Sequence, residues 1–251
     1  MRKMKAEVTY LLNSGFLVRV GRTLLIFDDF EDEQDFVGRA LRETAEYDAA
    51  YLFASHAHFD HFDEHILSYQ EVARRYVFGY DIRRTKRGRK FPQDKVTYMK
   101  PYELWEDENI KVESYDSTDI GVAFRVTEKK TGAVIFHAGD FNWWDWTGES
   151  AENRKLAENA FRKQLKRLEG MKADLAFFPV DGRLGPMQDK GVRAFIRVVD
   201  IGALITMHDL EESGWKPGAD FFPEGKHFPV WSPAAHGDKK LVEMTGGITV
   251  K

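Results

Sequence analysis

The stretch AAYLFASHAHFDHF, residues 49–62, constrains this chain more than any other. Its first six residues form an apolar run without alternation, the length of a strand buried on both faces. A strand covered on both sides needs layers above and below it, which points to a layered, mixed α/β fold. Directly behind the run come His56, His58, Asp60 and His61, with His65 four residues on, in a chain of eight histidines and no cysteine. In extended backbone, side chains two apart point the same way, so His56 and His58 can reach one ion together. A turn into the next segment would let Asp60 and His61 face a second ion. Without Cys there are no disulfides and no thiolate-bound zinc. Any metal here must be held by His, Asp or Glu, the ligand set for Zn²⁺, Mn²⁺ or Fe²⁺.

The same arrangement recurs along the chain. A meander is expected near 6–12, 16–20 and 23–27, then an acidic helix near 33–45. After the histidines, 63–75 reads as a helix with an acidic first turn. Strands are expected at 76–80, 96–99, 110–115, 121–127, 133–139, 173–180 and 202–207. A helix over 152–169 would turn Leu156, Ala160, Phe161, Leu165 and Leu168 inward, and one over 188–199 would bury Val192, Phe195, Ile196 and Val199. Five apolar strands end in a residue able to bind a metal or to order one that does: Asp28, His56, Asp140, Asp181 and His208. Ligands gather beyond the carboxyl ends of strands in α/β sheets, so the five converge on one shared site. No composition break or repeat marks a linker across the 251 residues, and a single domain spanning 1–251 is expected.

The motif SHAHFDH, between its buried strand and the helix expected after it, resembles the His-x-His-x-Asp-His signature of the metallo-β-lactamase superfamily. The resemblance extends to Asp28 after an early strand, to Asp140 in FHAGD and to His208 in TMHD. It implies a four-layer αββα sandwich with a binuclear site at one edge. His56 and His58 would serve the first metal, Asp60, His61 and His208 the second, and Asp140 both. Asp28 would lie behind the ligands and tie the loop down. One departure matters: that family supplies a further histidine to the first metal, and this chain has no His between His65 and His137. The corresponding stretch is ESYDSTDIGVAF, where Asp116, Ser117 or Asp119 can stand in; Asp116 is the substitute expected, because it ends a strand.

The activity implied is that of a metal-dependent hydrolase acting on a small ester, lactone or phosphoester through a metal-activated water, with one or two Zn²⁺ ions, or Mn²⁺ or Fe²⁺. Asp60 would orient the water and Asp140 would hold the metals together. The rival readings are a phosphodiesterase or nuclease on the same fold, and a non-catalytic metal-binding protein. Asp181 and Arg183, after a strand end, are candidates for an anionic group of the substrate. His65 reads as a surface residue, His137 as a core residue, and Trp143, Trp144 and Trp146 as either core or pocket lining. The basic run RRTKRGRK, 83–90, reads as a solvated loop, or as a rim for a phosphorylated or nucleic-acid substrate. With 37 basic and 41 acidic residues the net charge is −4, which provides no overall field toward nucleic acid or anionic membrane. No apolar run approaches the ~20 residues of a membrane helix, and the first one is broken by Asn13, Ser14 and Gly15. The expected protein is cytoplasmic, takes a small-molecule partner, and has an oligomeric state that the sequence leaves open.

Overall fold

A computed structural model describes residues 3–31, 33–209 and 214–245. The first half runs β1 (Lys3–Leu12), β2 (Gly15–Val20), β3 (Thr23–Phe27), α1 (Phe36–Arg42), β4 (Ala49–Ala54), β5 (Arg75–Gly79) and β6 (Val96–Met99). Then come β7 (Leu104–Glu106), β8 (Ile110–Asp116), β9 (Val122–Glu128), β10 (Val134–His137) and α2 (Ala151–Leu165). The chain continues through β11 (Lys172–Ala173), β12 (Leu175–Pro179), α3 (Lys190–Val198), β13 (Asp200–Ile201) and β14 (Leu204–Met207). It closes with β15 (Val230–Trp231) and β16 (Lys239–Thr245). Two seven-stranded sheets result, ordered β16-β1-β2-β3-β4-β5-β6 and β15-β14-β12-β10-β9-β8-β7.

The apolar runs separate their side chains by parity. From β3 and β4, Leu25, Phe27, Tyr51 and Phe53 enter the core between the sheets, where Phe53 meets Phe124 and Phe27 meets His137 and Phe177. Their neighbours Leu24, Ile26, Leu52 and Ala54 face the other way, against Val37, Leu41, Phe62 and Ile66. The second sheet does the same, with Phe177 packing on Phe16 at 4.5 Å while Phe178 packs on Phe195 of α3 at 4.6 Å. A strand buried on both faces has no polar side to alternate with, which is why these segments read as continuous apolar runs. The order is therefore helix, sheet, sheet, helix, the expected αββα sandwich. Strands β3 to β6 are parallel, as are β10, β12, β14 and β15. Their carboxyl ends open on a common edge. Among the described residues no helix is long and apolar enough to cross a membrane.

Three expectations need correction. The helix expected at 63–75 is a six-residue 3₁₀ turn, Glu64–Tyr69, capped by Asp63. It stops because Arg74 N donates to Ala50 O at 2.8 Å, which draws the chain into β5. The acidic helix at 33–45 is only the seven-residue α1, entered through Asp35 at φ +53°. Leu156 and Ala160 are not inward but exposed, Leu156 to 60%; α2 buries Phe161 and Leu165 as expected, and Gln164 with them. The C-terminal stretch, for which no element was expected, supplies β16, which pairs antiparallel with β1 and buries Val242 and Met244.

Glycine matters most where the loop after β9's neighbour strand passes β4. Gly121 has φ +81°, and a Cβ there would lie 2.2 Å from Ser55 O and 2.4 Å from His56 Cβ. Gly121→Ala should therefore destabilise the protein by roughly 2–4 kcal/mol, through left-handed strain plus overpacking. A Gly148→Ala control, with nothing within 4 Å of the added carbon, should unfold with the parent in thermal denaturation. Equal midpoints for Gly121→Ala and the parent would refute the packing described.

Candidate metal centre

The site is built from the residues just beyond the strand ends, and it starts with Asp28, wholly buried after β3. Its carboxylate accepts from Ser55 N and Ser55 Oγ, both at 2.7 Å, and lies 2.7 Å from His61 Nδ1. That contact keeps the proton on Nδ1 and turns the His61 Nε2 lone pair toward the opposite side. Asp181, after β12, does the same for His208, with Oδ2 3.1 Å from Nδ1. Both Asp28 and His208 adopt left-handed backbone, φ +44° and +63°. The conformations are held by hydrogen bonds from Asp28 N to Phe53 O (2.9 Å) and from His208 N to Asn13 O (3.0 Å).

Two groups of donor atoms converge. His56, His58, Asp119 and Asp140 form one, and Asp60, His61 and His208 the other, with the atoms of each group within 4.8 Å of one another. In the first, His56 Nε2 is 2.9 Å from His58 Nδ1 and 3.5 Å from Asp140 Oδ2, and His58 Nδ1 is 3.6 Å from Asp119 Oδ2. Asp140 also joins the second, its Oδ1 lying 3.1 Å from His61 Nε2 and 3.3 Å from His208 Nε2. Asp60 Oδ2 is 3.7 Å from His61 Nε2 and accepts from Asn13 Nδ2 at 3.0 Å. Counting Asp140 in both, each group is two imidazoles and two carboxylates.

The decisive feature is that His61 Nε2 and Asp140 Oδ1 are buried and make no hydrogen bond. Each such orphan costs about 1–3 kcal/mol. A divalent cation would satisfy both, and the neutral-nitrogen and carboxylate donors are the right chemistry for one. The charges point the same way. Burial would push the Asp140 carboxyl up, yet His61 and His208 hold it well below the usual range. Burial likewise pulls His208 down, but Asp140 and Asp181 raise it to about 9. His56 is pushed to about 3 by burial and by the positive field of His61. The buried carboxylates draw positive charge to this spot, whether as protons or as metal.

The outcome for the expected residues is specific. Asp116 is not at the site: Gln164 Nε2 donates to its carboxylate at 2.7 Å, and Asp119 stands beside His58 instead. Residues 117–121 fold over Asp140 because Thr118 Oγ1 donates to Asn142 O (2.7 Å) and accepts from Asn142 N (2.9 Å). Asp181 is buried, whereas the Arg183 side chain is half-exposed. Arg183 pairs with Asp181 at 2.6 Å, and Asp181 is spent on His208, its carboxyl lowered to about 2, against burial, by His208 and Arg183. His65 lies outside both groups, between Asp29 and Asp63 at 3.2 Å each. His137 is buried with Nε2 2.8 Å from Ser14 O. Trp143 stacks on Phe161 in the core, whereas the Trp144 ring sits 5.1 Å from His208.

Sequence reasoning missed three positioning residues. Asn13, read only as part of a turn, holds Asp60 and the His208 backbone. Asp81 accepts from Ala57 N at 2.8 Å, and Arg87 donates to Ala57 O at 2.7 Å and to Phe62 O at 2.5 Å, so the segment carrying the histidines is clamped from outside. An Asx-type residue at a hairpin tip was a usable signal for Asn13; a cation inside a basic run gave none for Arg87.

No family model matches the chain, and no curated protein matches it either. Solved structures do. A novel metallo hydrolase, Igni18, from the archaeon Ignicoccus hospitalis superposes with a TM-score of 0.59 at 13% identity, over 96% of this chain and 100% of that one. The metallo-β-lactamase fold protein YhfI from Bacillus subtilis does so at 0.55 and 15% identity, over 96% and 100%. CmlA, a diiron β-hydroxylase from Streptomyces venezuelae, matches at 0.50 and 12% identity, over 81% of this chain and 44% of that one. Identities this low speak to architecture, and the architecture is plain: the chain has the metallo-β-lactamase fold.

Proposed function

We propose that this protein is a metal-dependent hydrolase of a small ester, lactone or phosphoester. The observation that carries the reading is the pair of orphaned buried atoms, His61 Nε2 and Asp140 Oδ1, set among five further donors. A divalent cation held there would act as a Lewis acid and bring the pKa of a water from ~15.7 towards ~7. The protein's own part is preorganisation. Asp28 and Asp181 fix the tautomers of His61 and His208, so neither ring reorganises during reaction. Asp60, held by Asn13, presents a carboxylate oxygen that can accept a proton from a water and orient it. Asp140 couples the two donor groups. Trp144 donates from Nε1 to Asp140 O at 3.1 Å and sets its ring beside His208.

Asp119 in the place of the absent histidine supports a catalytic over a merely structural reading, because it completes the first donor set. Two carboxylates in each set make it harder than a three-histidine site, which suits Mn²⁺ or Fe²⁺ as well as Zn²⁺. The groups are unequally protected: the side chains of His58 and Asp119 are 51% and 48% exposed, those of His61 and His208 0% and 6%. The second set should therefore fill first.

Metal analysis on untagged protein, followed by ester, lactone and phosphoester substrates, tests the proposal. Chelation should abolish turnover while far-UV circular dichroism is retained, and added Zn²⁺ or Mn²⁺ should restore it. No turnover on the whole panel with metal fully loaded would defeat the hydrolase reading.

Asp119→Ala should lose about one equivalent of metal and keep the tighter one, while Asp116→Ala and His65→Ala keep the parent's content. Parent-level metal in Asp119→Ala would show that the first set is wrongly composed.

Asp181→Asn should weaken the second ion about 10–100-fold, the usual effect of removing a carboxylate behind a ligating histidine. Unchanged affinity in a competition titration with a metal indicator would remove Asp181 from that role.

A further inference from the structure

The run 83–90 holds six cations in eight residues, and the structure divides them by task. Arg87 clamps the backbone of Ala57 and Phe62, and Lys90 pairs with Glu64 at 2.6 Å. Arg83, Arg84 and Arg89 turn instead toward Lys100, which arrives from beyond β6, and the four line a groove of about 570 Å³ with Tyr80, Tyr98 and Glu103. Among the described residues none of these four cations makes an ion pair. The one carboxylate present, Glu103, accepts from Lys100 N at 2.8 Å. Two of the cations are oriented without being neutralised: the Arg83 guanidinium lies 5.8 Å from the centre of the Tyr98 ring, and Arg89 donates to Arg84 O at 3.2 Å.

Four like charges around one groove repel, and in a chain of net charge −4 their concentration here is local. Arginine forks match phosphate oxygens in pairs, and the groove has the volume of a small-molecule site. We propose that it binds a small molecule carrying a phosphate or diphosphate group. Four cations in one bounded groove suit a compact polyanion; a polynucleotide needs a track of such contacts. Tyr80 and Lys100 follow β5 and β6, and the histidines follow β4, the next strands in the same sheet. At ~4.8 Å per strand, the groove lies on the order of 10 Å from the histidines, on the same open edge.

The test is calorimetric titration of inorganic pyrophosphate into chelator-treated protein at 0.15 M NaCl, a readout independent of metal and of turnover. Saturable one-to-one binding is expected. The Arg83→Ala/Arg89→Ala double variant should weaken it at least tenfold, and Lys100→Gln, outside the run but in the groove, at least threefold. Lys86→Ala, in the run but outside the groove, should change it less than twofold; circular dichroism verifies that each variant is folded. Equal loss in Lys86→Ala, or no loss in Lys100→Gln, would overturn the groove in favour of a diffuse field. Tighter binding of a single-stranded RNA oligonucleotide, with the same arginine dependence, would overturn it in favour of nucleic acid.

Discussion

The buried Asp28 carboxylate is the interaction on which the centre depends. With no solvent to hydrate it, it must be satisfied by protein donors, and it takes Ser55 N, Ser55 Oγ and His61 Nδ1. Those three contacts fix where β4 ends, where the loop of histidines begins and which nitrogen of His61 faces the site. Burial would raise this carboxyl, but the His61 hydrogen bond and the surrounding imidazoles keep it below its usual value, so it is ionised and acts as an acceptor. Asp181 repeats the device behind His208 from the second sheet. The site is thus assembled where two sheets meet, each sheet bringing one histidine with its own carboxylate.

The surrounding loops are bound to this core by contacts distant in sequence. The hairpin tip between β1 and β2 reaches Asp60 through the Asn13 side chain and His208 through its carbonyl, while the Ser14 carbonyl meets His137. On the other flank, Asp81 and Arg87 grip the backbone of Ala57, between the two leading histidines. Gly79, Gly121 and Gly139 crowd Ser55 so closely that a side chain at any of them would collide with it. Such over-determination is what holds Asp28 and His208 in left-handed backbone. It also leaves the donor atoms facing one another with little freedom to relax away.

Much of this was legible because polar residues at the ends of wholly apolar strands have few places to go. Strand parity and the strand-end residues Asp28, His56, Asp140 and His208 follow from local pattern alone. Asp119 over Asp116 does not, since the choice rests on Thr118 meeting Asn142, which is a tertiary contact. The helix expected after the histidines gives way to a short turn because Arg74 must join the sheet beside Ala50. Strand β16 was hidden by distance: its partner β1 is at the opposite end of the chain, and only alternate residues, Val242 and Met244, are buried. Arg87 looked like its five charged neighbours until its carbonyl partners were visible.

We propose that the two donor sets sharing Asp140 at one edge of the sandwich can each hold a cation. The most direct measurement is anomalous diffraction from crystals of the metal-loaded protein, collected on both sides of the metal's absorption edge. The account predicts two peaks, one bounded by His56, His58, Asp119 and Asp140, the other by Asp60, His61, His208 and Asp140, with the second at higher occupancy. A single peak away from Asp140, or none in a fully loaded sample, would contradict it.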